Sequence, residues 1–229
     1  MRYQDEISTY CGHFTEQLNL IGSLGSHLYR KILLVSILDT LSRARHPNLV
    51  TSNHDRFVDF IQSSTGWEDC ERVSAPLLLA RLEKDPALQD IKLARDLREW
   101  IGQWREGSMP RAADDPRVTE LTPSGVLSQN GVPLERHYTH VELFYAYRNV
   151  LVHEFREPGV DFGILGDRSP YYIRVDDLDS AEQRWRLVYP ADFFQTVGER
   201  ALENVKQYLV ANQLNPYTFY DFDPNWQRR

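Results

Sequence analysis

Apolar residues recurring at steps of three and four constrain this chain most. Ile7, Tyr10, Phe14, Leu18, Ile21, Leu24 and Leu28, then Val35, Leu38 and Leu41, draw one helical stripe through residues 5–45. The spacing predicts one long helix there, or two joined near Gly22 and Gly25, ended by the proline in "RARHPN". Near the other end, Pro190 opens a helix whose apolar positions are Phe193, Phe194, Val197, Ala201, Val205, Tyr208 and Leu209.

Between these ends lie further helical stretches. "SNHDRFVDFIQ" starts a helix with Ser52 or Asn53 as N-cap, and "WEDCERVSAPLLLARLEK" and "PALQDIKLARDLREWIGQWREG" read as two more. Pro76 and Pro86 mark breaks or first-turn positions. Residues 107–134 are rich in Pro, Gly, Ser and Asp and lack periodicity, so they read as a floppy insertion or a substrate-contacting lid. A helix follows at 136–156. "YYIRV" and "RWRLVYP" then alternate apolar with polar residues around "DDLDSAEQ", a β-hairpin pattern. The aromatic tail "NPYTFYDFDPNW" is expected to pack back on the body. The whole predicts an all-α bundle with a small β-hairpin inserted before the last long helix. It is read as one domain over 1–229, with 65–134 as a helical and loop insertion.

Composition bounds the function. Over 229 residues the formal net charge is −7, which argues against a broad DNA-coating surface but allows a local basic cleft. No apolar run reaches the roughly 18–20 residues that cross a bilayer. The polar start "MRYQDEISTYCGHF" lacks a secretory pattern, so a cytoplasmic location is expected. Cys11 and Cys70 make neither a disulfide framework nor a zinc site and read as two reduced, partly buried thiols.

The stretch "YRNVLVHEF", residues 147–155, carries Arg, Asn, His and Glu on a helix that is otherwise apolar almost all round. On a wheel of about 100° per residue with Arg148 at zero, Glu142, Asn149, His153 and Arg156 fall between about 80° and 140°. Ala146 lies beside this stripe and leaves room for an approaching group. Val141, Leu143, Phe144, Tyr147, Val150, Leu151, Val152 and Phe155 fill most of the rest, a wider apolar arc than a surface helix needs. Such a helix is central, or covered by a second subunit. Arg148 sits inside the apolar sector, where an unpaired guanidinium is strongly unfavourable. Asp39, on the apolar face of "ILLVSILDTLSR", is the candidate partner, and an Asp39→Asn variant as stable and active as wild type would remove that pairing.

These residue types suit a phosphodiester. A His takes or gives a proton near neutral pH. An Arg clamps a phosphate with parallel hydrogen bonds and offsets developing charge. An Asn fixes the His or a phosphate oxygen. With RNA the nucleophile is the substrate's own 2′-hydroxyl, so neither metal nor cofactor is required. The alternative is a solvated stripe with a structural Arg–Asp pair.

Arg148–Asn149–Val150–Leu151–Val152–His153 resembles the Arg-Asn-x-x-x-His signature of the HEPN superfamily. The resemblance covers the topology of about 1–60 and 136–215. It implies an HEPN-like bundle with the motif on a late helix, and a metal-independent endoribonuclease serving as a toxin or antiviral effector in prokaryotes. Arg148, Asn149 and His153 are the catalytic residues it implies. In such relatives two motifs meet across a two-fold axis, so it also implies a homodimer acting on RNA, with paired Arg148 and Arg156 forming a positive cleft. Glu142, Arg156 and Asp39 are the candidate substrate-binding residues. A separate regulatory or antitoxin chain would supply the trigger. Some members are silent, so the other reading is a helical interaction or nucleotide-binding module.

Other patterns weigh less. His137 and His140 in "ERHYTHVE" have no Glu or Cys partner at metal-site spacing and read as helix-start polar residues. "GSLGS" has no preceding strand and no Lys-Ser or Lys-Thr, so it is no phosphate loop. Ser26 and Ser36 lack a nucleophile-elbow context. The aromatics of "FVDFIQSSTGW" and "YTFYDFDPNW" fit packing better than base stacking.

Overall fold

The computed structural model describes residues 3–46, 52–105, 107–128, 130–158, 166–176 and 183–219. Among them are seven α-helices, four short 3₁₀ turns and one antiparallel hairpin, so the chain is mainly α. No helix among the described residues is long and apolar enough to cross a membrane. The chain divides into two compact units, residues 1–66 with 195–229, and residues 67–194.

In the first unit the 5–45 stripe resolves into two helices, α1 (Gln4–Gly22) and α2 (His27–Arg45). The break between them is set by Ser26, whose side chain caps α2 by accepting from the Tyr29 N–H. Helix α3 (Asn53–Ser64) starts at Ser52, whose hydroxyl accepts from the Asp55 N–H at 3.1 Å, satisfying one of the orphan donors of the first turn. Leu34, Val35, Leu38 and Leu41 of α2 and Phe57, Phe60 and Ile61 of α3 are fully buried. The last helix, α7, spans Ala191–Asn212, and its portion from Gln195 onward belongs to this unit. Asn204 donates to the Ser64 carbonyl at 2.7 Å and Arg200 to the Gly66 carbonyl at 3.2 Å, so α7 satisfies the carbonyl end of α3. Gly198 packs closely: a Cβ there would lie 3.1 Å from a Leu18 methyl, which would have to give by a few tenths of an ångström. The aromatic tail does fold back as far as it is described. Pro216–Phe219 forms a 3₁₀ turn, and the Tyr217 ring meets Tyr10 edge-on at 5.9 Å. Residues 220–229, the rest of that tail, lie outside the described residues.

The second unit departs more from the periodicity. "WEDCERVSAPLLLARLEK" is helical only over α4 (Ala75–Glu83), with Pro76 in its first turn. Residues 72 and 73 instead form isolated bridges, Arg72 with Arg117 and Val73 with Thr139. Helix α5 (Lys92–Gly102) begins six residues after Pro86. α4 and α5 bury Leu78, Leu82, Leu93, Ala94 and Leu97 in one cluster with Val73, Ala75 and Leu121.

The 107–134 stretch is not floppy where its anchors lie. Ala112, Asp115 and Leu121 are buried. Asp114 and Glu120 each accept the backbone N–H three residues back, at 2.8 and 2.6 Å, closing two 3₁₀ turns. The following helix is shorter than expected: Leu134–Tyr138 is 3₁₀, and α6 runs from His140 to Glu154. The hairpin is as predicted. β1 (Tyr171–Asp176) pairs with β2 (Gln183–Val188) in the register Tyr171 to Val188 through Asp176 to Gln183. Arg174 faces Trp185 directly across the strands, its guanidinium 4.6 Å from the indole ring centre. Residues 177–182, most of the predicted connector, lie outside the described residues.

Candidate functional site

Helix α6 buries one face, formed by His140, Val141, Phe144, Tyr147 and Leu151. This face packs into an aromatic cluster. Phe144 lies 5.8 Å from Trp67, 5.4 Å from Tyr189 and 5.7 Å from Phe193. Rings at these separations and tilted orientations hold the helix at a fixed rotation about its axis. The rotation determines where the polar stripe points.

The stripe lies away from the aromatic cluster. Asn149 and Glu142 are half-buried and His153 is exposed. Asn149 and His153 are one turn apart, so their Cβ atoms are about 5–6 Å from each other along one face. Arg148 starts about 100° round from Asn149 toward the buried side, yet is only half-buried. Its guanidinium bends back: Nη1 donates to Asn149 Oδ1 at 2.8 Å, and its central carbon stands 5.8 Å from the Tyr145 ring centre. This draws the charge of Arg148 toward the stripe. Asp39 sits half-buried on α2 of the first unit, whereas Arg148 belongs to the second.

Arg156 does not continue the stripe. α6 stops at Glu154, and Phe155 adopts a left-handed conformation with φ 53°, which turns the chain. A bulky side chain rarely takes that conformation, and Phe155 is 65% exposed. The guanidinium of Arg156 pairs with Glu154, Nε to Oε2, at 2.7 Å. The wheel had carried Arg156 past the true end of the helix.

Beside the stripe is a cavity of about 500 Å³. Four of its wall residues, Leu143, Ala146, Tyr147 and Val150, lie on α6 at helical spacing. Ala146 lines the cavity and lies next to the stripe on the helix wheel. Arg156 reaches the rim from the turn after α6, and Trp185, Arg186 and Leu187 supply the wall along β2.

His140 is the first residue of α6 but not a simple helix-start polar residue. His140 is fully buried, and its Nε2 lies 2.8 Å from Asp115 Oδ2. The same carboxylate accepts the Tyr172 hydroxyl through Oδ2 and the Ala75 N–H through Oδ1, at 2.5 and 3.0 Å. Tyr172 also reaches Ser74 Oγ at 2.8 Å, and the Tyr189 hydroxyl donates to the His140 carbonyl at 3.2 Å. Burial, then the neighbouring Asp115 charge, pushes the phenols of Tyr172 and Tyr189 well above their ordinary range, so both stay protonated donors. Sequence reasoning missed Asp115, Tyr172 and Ser74, because they converge from three distant segments. Among the described residues no group of three His, Cys, Asp or Glu is placed to hold a metal ion.

Cys11 and Cys70 are free thiols, and both are buried rather than partly buried. No family model matches the chain, and no curated protein or solved structure matches it.

Proposed function

We propose that the chain is an HEPN-like, metal-independent endoribonuclease, acting as a homodimer in prokaryotic antiviral defence or as a toxin. The observation that carries this reading is the hydrogen bond from Arg148 to Asn149, with His153 one turn beyond on an exposed helix face. An acid–base group and a guanidinium thereby share one side of one helix. The half-buried Tyr145 and Val152 and the exposed Phe155 offer the apolar surface that a second copy would cover.

In the proposed reaction, His153 takes the proton of the RNA 2′-hydroxyl as that oxygen attacks the adjacent phosphorus. The bond from phosphorus to the 5′-oxygen breaks. The protonated imidazole of the partner's His153 returns a proton to the leaving oxygen, and Arg148 offsets the charge gathered on the phosphoryl oxygens. The products are a 2′,3′-cyclic phosphate and a 5′-hydroxyl. The trigger would come from a separate regulatory or antitoxin chain.

The test is incubation of the purified chain with structured and unstructured RNAs in EDTA, beside Arg148→Ala and His153→Ala. The reading expects cleavage by the wild type alone, with cyclic-phosphate ends. Equal cleavage by the His153→Ala variant would end it, and no cleavage by any preparation, including phage-activated extract, would favour a silent module.

A further inference from the structure

The cavity beside α6 has a chemistry that the proposed cleavage does not use. Its volume, about 500 Å³, suits a small organic molecule. Its walls are mainly aliphatic or aromatic, with Leu143 and Val150 of α6 facing Leu187 of β2. The hydroxyls of two lining tyrosines are already engaged: that of Tyr147 donates to Glu157 at 2.7 Å, and that of Tyr189 to the His140 carbonyl at 3.2 Å. A nucleobase edge placed against the aliphatic walls would lose its water without regaining hydrogen bonds from them, which is costly.

The charge at the rim is unevenly committed. Arg156 is held by Glu154. Arg186 is exposed on β2, and its side chain has no hydrogen-bond or ion-pair partner among the described residues. An apolar hollow lined by a guanidinium that no described residue engages is complementary to an apolar body carrying a single negative head.

We propose that this cavity binds an amphipathic organic anion, its apolar body between α6 and β2 and its carboxylate on Arg186. The ligand is an aliphatic or an aryl carboxylate, two sources of the same chemistry. Because Ala146 lines the cavity and lies next to the stripe bearing His153, such a ligand sits beside the motif without touching Arg148. The inference does not depend on RNA cleavage.

The experiment is calorimetric titration of the full chain with octanoate and with naphthoate. Octanol and naphthol serve as uncharged comparators, and adenosine monophosphate as a nucleotide comparator. The variants are Arg186→Gln and Ala146→Trp, each checked for an unchanged melting curve. One-to-one binding of at least one carboxylate is expected, the better binder identifying the source. Arg186→Gln is expected to weaken that anion about tenfold, the loss of a charge-assisted contact, while leaving the uncharged comparator unaltered. Ala146→Trp, which fills the hollow, is expected to abolish both. The proposal is overturned if neither carboxylate saturates a single site, if adenosine monophosphate binds more tightly, or if Arg186→Gln leaves the anion's affinity unchanged. Should Ala146→Trp fail to fold, the Arg186→Gln comparison decides alone.

Discussion

Asp115 and His140 lie 25 positions apart in the chain and meet at 2.8 Å with both side chains fully buried. The carboxylate accepts from the imidazole, from the Tyr172 phenol and from the first turn of α4 at once. One side chain therefore fixes where α6 begins, where α4 begins and where β1 packs. The helix that presents Arg148 and His153 is anchored at its start by this knot.

Removing the carboxylate should be severe. Asp115→Ala leaves a buried imidazole, a phenol and a backbone N–H without their acceptor, so a loss of about 3–5 kcal/mol is expected. Urea unfolding followed by tryptophan fluorescence measures it. A loss below about 1 kcal/mol would show that the knot contributes little.

The left-handed Phe155 points the other way. A non-glycine residue in that conformation carries about 1–2 kcal/mol of strain, and this side chain is 65% exposed, so little packing offsets it. Phe155→Gly is expected to stabilise the isolated monomer by about 1 kcal/mol, seen as a higher Tm. If Phe155 meets a second copy, the same change weakens dimerisation in sedimentation equilibrium.

At the proposed catalytic stripe, Arg148→Lys should not substitute for Arg148. A lysine retains the charge but cannot bond Asn149 and a phosphate in one plane. Ribonuclease activity is expected to fall about a hundredfold, the cost of losing one oriented donor to a developing oxyanion. Activity within a factor of about three of wild type would mean that only charge matters there.

Burial raises the thiols of Cys11 and Cys70 from 9.0 to about 11. Neither should react with a disulfide reagent at pH 8 in the native chain, and both should react in guanidinium. The folded chain then holds protons that the unfolded chain releases. Stability from this source is intact below pH 9.0 and declines as pH rises toward about 11. Rapid native labelling at pH 8 would show that the burial opens readily.

Much of this was legible in the sequence because it is local. α1, α2, α3, α7 and the hairpin follow from periodicity and caps, which depend on residues three or four positions apart. The adjacency of Asn149 and His153, and the place of Ala146 beside them, follow from helical geometry alone. What the tertiary structure decided is what depends on distant segments. The helical pattern in residues 67–74 gave way to bridges with Arg117 and Thr139. The turn at Phe155 took Arg156 off the stripe and set it at the cavity rim. Asp115, in a stretch with no periodicity, became the acceptor for three segments because a buried carboxylate must find its donors wherever the chain brings them. Local pattern specifies which face a residue occupies; only packing specifies what that face meets.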